Sequence, residues 1–211
     1  LEGGNNIACE ENLVIGNVVC NCLEGISVQH SSLIRDNVVK GNAVHDCDYG
    51  IAIWQSAMRI LVEGNDVSNC HDAEITVNGS NCTITGNSCT TTSSTVTLAD
   101  YWGAISCKGS NNVIKGNKCL YDGPNIRTGI LVNGGDYNIV DGNDIKRMSW
   151  SGIYLRAGAD KNMVENNLVV ESAEYGIYIE GADCKETCIK NNNLEGNRAG
   201  AIWNGGTGTV L

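Results

Sequence analysis

Two tryptophans and a run of basic and phenolic side chains are the residues of this chain best suited to work on a sugar. Trp102 and Trp150, with Trp54 and Tyr178, offer flat faces of the kind that stack on sugar rings. Lys108, Arg127 and Arg156 carry charges that pair with the carboxylates of acidic sugars. A β-elimination site needs a base poised near neutral pH and a group that neutralises the carboxylate, and Lys108, Arg127, Tyr154 and Arg156 are the right types for those roles. Asp48, Asp72 and Glu74 form a second group, beside Asp46, His45 and His71. Stacked carboxylates could hold Ca²⁺ or serve as the acid and base of glycoside hydrolysis. Each group has a plainer reading. The indoles could simply cover a strand edge, and the acids could be a solvated turn on an acidic protein.

What would position these residues is a repeat. Val-x-Gly-Asn-x-Val occurs at Val14 to Val19, Val39 to Val44 and Val62 to Val67. It recurs at Ile84 to Cys89, Ile114 to Cys119 and Val140 to Ile145, and with Asn in place of Gly at Val164 to Val169 and Ile189 to Leu194. The second Asn of each copy stands at 17, 42, 65, 87, 117, 143, 167 and 192, so the period is 22 to 30 residues. A period of that size is one supersecondary unit stacked on its copies. Gly-Asn tolerates the left-handed backbone of a tight turn, and alternating β-branched residues flank it. A further strand follows in each copy, as Gly25-Ile26-Ser27-Val28, Gly50-Ile51-Ala52-Ile53, Gly129-Ile130-Leu131-Val132, Gly152-Ile153-Tyr154-Leu155 and Gly176-Ile177-Tyr178-Ile179. Glu74 to Val77, Ala104 to Cys107 and Gly200 to Trp203 are looser copies. With a third strand before each Gly-Asn and no helical period, the sequence predicts an all-β chain: a parallel β-helix of about eight coils, three short strands per coil. The turn Asn side chains should form a ladder.

Strand alternation then sorts the Gly-Ile strand by face. The column two residues before the Gly runs Leu23, Asp48, Asp72, Trp102, Arg127, Trp150, Glu174, Arg198, and is read as outward. The column two after runs Ser27, Ala52, Thr76, Ser106, Leu131, Tyr154, Tyr178, Ile202, and the column four after includes Trp54, Lys108 and Arg156. Trp102 and Trp150 would lie about 10 Å apart, two coils at the usual strand spacing. Two insertions, Ser88 to Tyr101 and Leu120 to Thr128, enter at the same height.

The alternation of Gly-Ile-x-Val with Asn-x-Ile-x-Gly-Asn resembles the right-handed parallel β-helix repeats of the pectin-lyase-like superfamily, in its carbohydrate-binding and sugar-hydrolysis branch. The resemblance covers nearly the whole chain. It implies a right-handed, single-stranded β-helix with a substrate groove along the Gly-Ile strand, on an extracellular or cell-surface protein. Polysaccharide lyases, glycoside hydrolases and uronan epimerases share that fold with tailspikes and adhesins, so activity does not follow from it. Neither the Asp-Pro-His-like motif of the epimerases nor the Asp triad of the polygalacturonase type is found. Two readings stand: a β-helix that binds an acidic polysaccharide, with or without cleaving or epimerising it, and a non-catalytic structural or adhesive segment that self-associates or builds a fibre.

Composition sets the remaining bounds. A net charge of −10 argues against nucleic acid, and no 18-residue apolar run predicts membrane insertion. One domain, 1–211, is expected, and ends without polar caps suggest a piece of a longer chain. Eleven Cys without a Cys-x-x-Cys pair read mainly as small buried hydrophobes. Cys22, Cys47 and Cys70 should stack, buried and unbridged, while Cys184 and Cys188, in and beside a turn, could bridge.

Overall fold

The computed structural model describes residues 9–29, 34–92, 103–123 and 127–211, and every regular element among them is a strand. Strands pair only in parallel, each with its equivalent one coil away. The first stack holds eight strands, from Leu13–Ile15 to Cys188–Lys190, and the second holds seven, from Val18–Cys20 to Leu168–Val170. The third also holds eight, from Glu24–Val28 to Gly200–Asn204, so seven coils carry all three strands. A short extra stack, Cys9–Glu10, Ile34–Arg35 and Ala57–Met58, is added at the amino-terminal coils.

The turn between the first two stacks follows from residue type. Gly16, Gly41, Gly64, Gly86, Gly116 and Gly142 have φ between 61° and 67°, and where Gly is missing Asn166 and Asn191 take φ of 55° and 56°. Asn bears that region better than other residues with a Cβ. The Asn that follows builds the predicted ladder. Asn17, Asn42, Asn65, Asn87, Asn117, Asn143 and Asn167 each donate from Nδ2 to Oδ1 of the next copy at 2.9 to 3.1 Å, ending on Asn192. The same Oδ1 accepts the backbone N–H of the preceding Asn, as from Asn87 to Asn117 at 2.9 Å. The remaining Nδ2 hydrogen goes to a strand carbonyl, as from Asn117 to Ile84 at 2.9 Å. Each inner Asn is therefore fully satisfied while buried. A second ladder, five residues earlier, was not foreseen. Asn12 bonds Asn37, and Asn112 and Asn138 bond Asn138 and Asn162; Ile60 and Cys82 interrupt it.

One apolar cluster fills the interior. Val39, Val62, Ile84, Ile114, Val140 and Val164 come from the first stack, and Val44, Val67, Cys89, Cys119, Ile145 and Val169 from the second. Ile51, Ile75, Ile105, Ile130, Ile153 and Ile177 of the third close it. On the outer side of the first stack, charges on successive coils pair: Lys40 with Glu63 and Lys115 with Asp141, each at 2.8 Å, and Lys190 with Glu165 at 3.0 Å. Asn166 and then Lys115 hold the Asp141 carboxyl below the usual aspartate range.

All eleven cysteines are free, including Cys184 and Cys188. Cys47 and Cys70 are buried as expected, but Cys22 is exposed, because it belongs to the first coil of its column. Burial pushes the thiol of Cys82 up to about 11 and that of Cys107 up to about 12. A thiol reagent added to the native protein at neutral pH is expected to label the exposed Cys20 and Cys22 quickly. The seven buried thiols should react only in denaturant. A denatured count well below eleven would contradict the unbridged state.

Candidate functional site

The outer face of the Gly-Ile stack carries most of the residues singled out by the sequence. It divides into three regions.

Near the amino-terminal end, Gln29, Trp54, Gln55, Ser56, Asn78 and Lys108 line an open cleft of about 520 Å³. Trp54 and Asn78 directly follow the strands Tyr49–Ile53 and Ala73–Val77, where the backbone leaves the sheet and side chains can lean over its face. The ring of Tyr49 meets the Trp54 indole edge-on, with centroids 5.4 Å apart. Among the described residues, Trp54 Nε1 and Asn78 Oδ1 are buried atoms without a hydrogen-bond partner. Lys108 is exposed at the rim. An aromatic wall, an open indole donor, an amide acceptor and an ammonium group fit a hydroxyl-rich, acid-bearing ligand.

The middle differs from the outward reading. Arg127 is only 1 % exposed. Its Nη2 donates to both Glu74 carboxylate oxygens, at 3.0 and 3.2 Å, and to the Cys70 carbonyl at 2.7 Å, while Nη1 reaches the Asp72 carbonyl. Glu74 is 0 % exposed and also accepts from the Thr91 hydroxyl. The reason lies in the column that Glu74 occupies. At Gly50, the equivalent position one coil earlier, a Cβ would fall 2.4 Å from Val67 and 2.5 Å from the Glu74 carbonyl. A carboxylate in so tight a column is tolerable only with a buried cation beside it. Arg127 is therefore removed from any ligand surface, and Glu74 from any calcium site.

Asp72 bonds its neighbour His71 at 3.0 Å and accepts from the Tyr49 hydroxyl, whose pKa burial and then Asp72 push up to about 12. Asp48 is half-buried on the coil before. Among the described residues no three His, Cys, Asp or Glu side chains converge to hold a metal ion, so the expected Ca²⁺ set of Asp48, Asp72 and Glu74 is not assembled. Trp102 and most of the first insertion, 93–102, lie outside the described residues, as does 124–126 of the second; Trp150 is half-buried.

Toward the carboxyl end an aromatic group appears. Tyr154 and Tyr178, one coil apart, meet edge to face at 5.2 Å. Tyr178 stacks on Trp203 at 6.2 Å with the rings 14° apart, and Tyr175 lies 5.9 and 5.8 Å from the two. Tyr154 donates its hydroxyl to Glu180 at 2.6 Å, and the Arg156 guanidinium sits 5.7 Å from its ring and 3.5 Å from Glu180. Burial first, and then Glu180, push the Tyr154 phenol well above its ordinary value. That is the wrong direction for a base near neutral pH.

Trp203, 46 % exposed, was missed by one residue. Matching Gly200 to the Gly column put Ile202 on the outer face, whereas Tyr175 pairs with Gly200, Ile177 with Ile202 and Tyr178 with Trp203. Aligning the two inward Ile residues would have found it. Tyr49 and Tyr175, at the head of their strands, left no sequence signal beyond being aromatic.

The chain belongs to the right-handed β-helix proteins: the family described as "Right handed beta helix region" matches residues 101–211, and the family described as "Periplasmic copper-binding protein (NosD)" matches residues 2–121. No curated protein matches the sequence. Among solved structures, the tailspike of E. coli bacteriophage HK620 is similar with TM-score 0.63 and 13 % identity, over 88 % of this chain and 45 % of that one. The periplasmic alginate epimerase AlgG is similar with TM-score 0.64 and 15 % identity, over 93 % and 51 %. The A-module of the Azotobacter vinelandii mannuronan C-5 epimerase AlgE4 follows at 0.60 and 14 %, over 94 % and 57 %. The chain spans about half the length of these structures. At such identities the likeness establishes the fold, and activity has to be argued from the site.

Proposed function

We propose that this β-helix binds a linear acidic polysaccharide along the outer face of the Gly-Ile stack, and that it binds without turning its ligand over. The observation that carries the reading is the Trp54 cleft, where a buried indole N–H and a buried amide oxygen have no hydrogen-bond partner among the described residues, beside an exposed Lys108. Sugar hydroxyls would satisfy the first two, and a uronate carboxylate would meet the third. Trp203, Tyr175 and Tyr178 supply a second contact further along the rod. Binding without chemistry is favoured because Arg127 is spent on Glu74, Arg156 leans on Glu180, and the Tyr154 phenol is held protonated. A location in the periplasm or outside the cell fits the family description and the polysaccharide epimerases and tailspike to which the fold is similar.

A glycan array or affinity electrophoresis with alginate, pectate and neutral chains tests this. Trp54→Ala is expected to weaken binding by about 1–3 kcal/mol, the scale of one lost aromatic contact. Binding should also fall with salt, because the Lys108 contact is ionic. If no acidic glycan is retained, the chain is better read as a structural or adhesive solenoid.

A second reading concerns the copper named in one family description. The observation that admits it is the shared position of Cys22 and Cys47 on the first two coils, where each Sγ donates to the carbonyl two residues before it, at 3.2 and 3.4 Å.

A further inference from the structure

The outer side of the first stack is three columns wide. From the second coil on, every other residue is buried and those between face out; on the last coil Glu186, Cys188 and Lys190 flank the buried Thr187 and Ile189. The register never slips, since the strands pair residue for residue from Leu13 and Val38 to Met163 and Cys188. The middle column is apolar from Leu13 to Met163 on every coil except that of Thr83, and Cys188 ends it. At the usual strand spacing this stripe is about 34 Å long. Leu13 is 59 % exposed, and Ile15 and Tyr137 on its flanks are exposed as well. A continuous apolar stripe rimmed by polar residues is the mark of an interaction surface.

Charge says what covers it. One flank is the turn column and the other lies four residues further on, about 13 Å away across the stripe. Within the chain the flanking charges pair along the rod, Asp36 with Arg59 at 2.7 Å and Lys40 with Glu63 at 2.8 Å. Across the stripe their signs are opposite wherever both flanks are charged: Asp36 against Lys40, Arg59 against Glu63, Lys161 against Glu165, Glu186 against Lys190. A two-fold axis running along the stripe lays the turn column of one copy over the far column of the other, coil for coil. All four pairs then become attractive contacts, each made twice, and no like charges meet. The Tyr137 hydroxyl, which accepts from Lys161 at 3.1 Å, is left to donate to the partner's Asp141. Turning one copy end for end would instead set Glu11 on Glu186 and Glu63 on Asp141.

We infer that this face is the interface of a parallel two-fold dimer, in which a second copy of the chain lies alongside with the same polarity. A face of about 34 by 13 Å is at the small end for specific interfaces, so the dimer is expected to form reversibly with concentration. The Gly-Ile stack is a different side of the coil, so dimerisation and glycan binding can fail independently.

Sedimentation velocity across a concentration series tests the association, which should weaken with salt. Ile139→Lys, which sets two ammonium groups face to face on the axis, is expected to weaken it at least tenfold with the circular dichroism unchanged. Lys161→Glu should also weaken it, and adding Glu165→Lys should restore it, because the flanks then match again. Cross-linking reads the orientation. In a chain carrying Cys9→Ser, Cys20→Ser and Cys22→Ser, mild oxidation should join Cys188 to the partner's Cys188. With Leu13→Cys added, position 13 should join its own counterpart, and a bridge from 13 to 188 between chains overturns the parallel arrangement. A chain still monomeric at about 1 mM, or a dimer undiminished by Ile139→Lys, overturns the interface.

Discussion

Replacing Arg127 by Leu is expected to destabilise the chain by about 3–5 kcal/mol, the cost of leaving a buried carboxylate without its partner. Glu74 is 0 % exposed and receives two hydrogen bonds from Arg127, so the substitution strands its charge three coils into the solenoid. The Cys70 and Asp72 carbonyls lose a donor at the same time. Glu74→Gly combined with Arg127→Leu should recover most of the loss, because Gly is the residue this column holds at 25, 50, 129, 152 and 176. Replacing a buried pair by apolar groups is often neutral even where breaking it is severe. Denaturant unfolding measures both variants. A single variant within about 1 kcal/mol of the native protein, or a double variant no better than the single, would show that the pair does not carry this charge balance.

Asn117→Ala should cost about 3 kcal/mol, while Asn17→Ala should cost much less. At Asn117 the side chain accepts from both Asn87 nitrogens and donates to Asn143 and Ile84, and all of these groups are out of water. Each stranded polar group adds about 1–3 kcal/mol, offset in part by local rearrangement. Asn17 is exposed on the first coil and can exchange its bonds for water. Because a solenoid's stability is close to a sum over neighbouring coils, the damage at Asn117 should concentrate on the coils that touch it. Hydrogen exchange of strands Thr83–Thr85, Val113–Lys115 and Ile139–Asp141 should report it, with the terminal strands spared. Uniform loss of protection, or equal costs at Asn17 and Asn117, would count against the ladder as the register device.

The sequence carried the architecture because its strongest signals are local. Gly-Asn demands a left-handed turn and then a ladder, and both can be read within six residues. The candidate site was harder for three physical reasons. Alternation tells which way a side chain leaves the strand but not what lies over it, and outward Thr76, Ser106 and Tyr154 are at most 3 % exposed. The Arg127–Glu74 pair joins residues 53 apart through a bond that no spacing announces. The last coil slipped by one position, because Gly200 sits where Tyr175 does and not in the Gly column. Trp54, Lys108 and Tyr178 remained on the face assigned to them, while Glu74 and Arg127 became interior structure.

The asymmetry of the ladder also bears on how such a chain can change length. Every Asn amide donates toward the next coil, so the register unit is the coil and not the residue. Thirty residues separate Asn87 from Asn117 where 22 separate Asn65 from Asn87, yet their amides bond at the same 2.9 Å. Doubling a connecting loop costs only about 0.6 kcal/mol of closure entropy. One residue added between a Gly-Asn turn and its strand would instead turn an entire set of core side chains outward. Insertions of ten residues between Thr91 and Gly103 should therefore be tolerated better than a single residue between Asn117 and Cys119, and whole coils can be gained or lost as units.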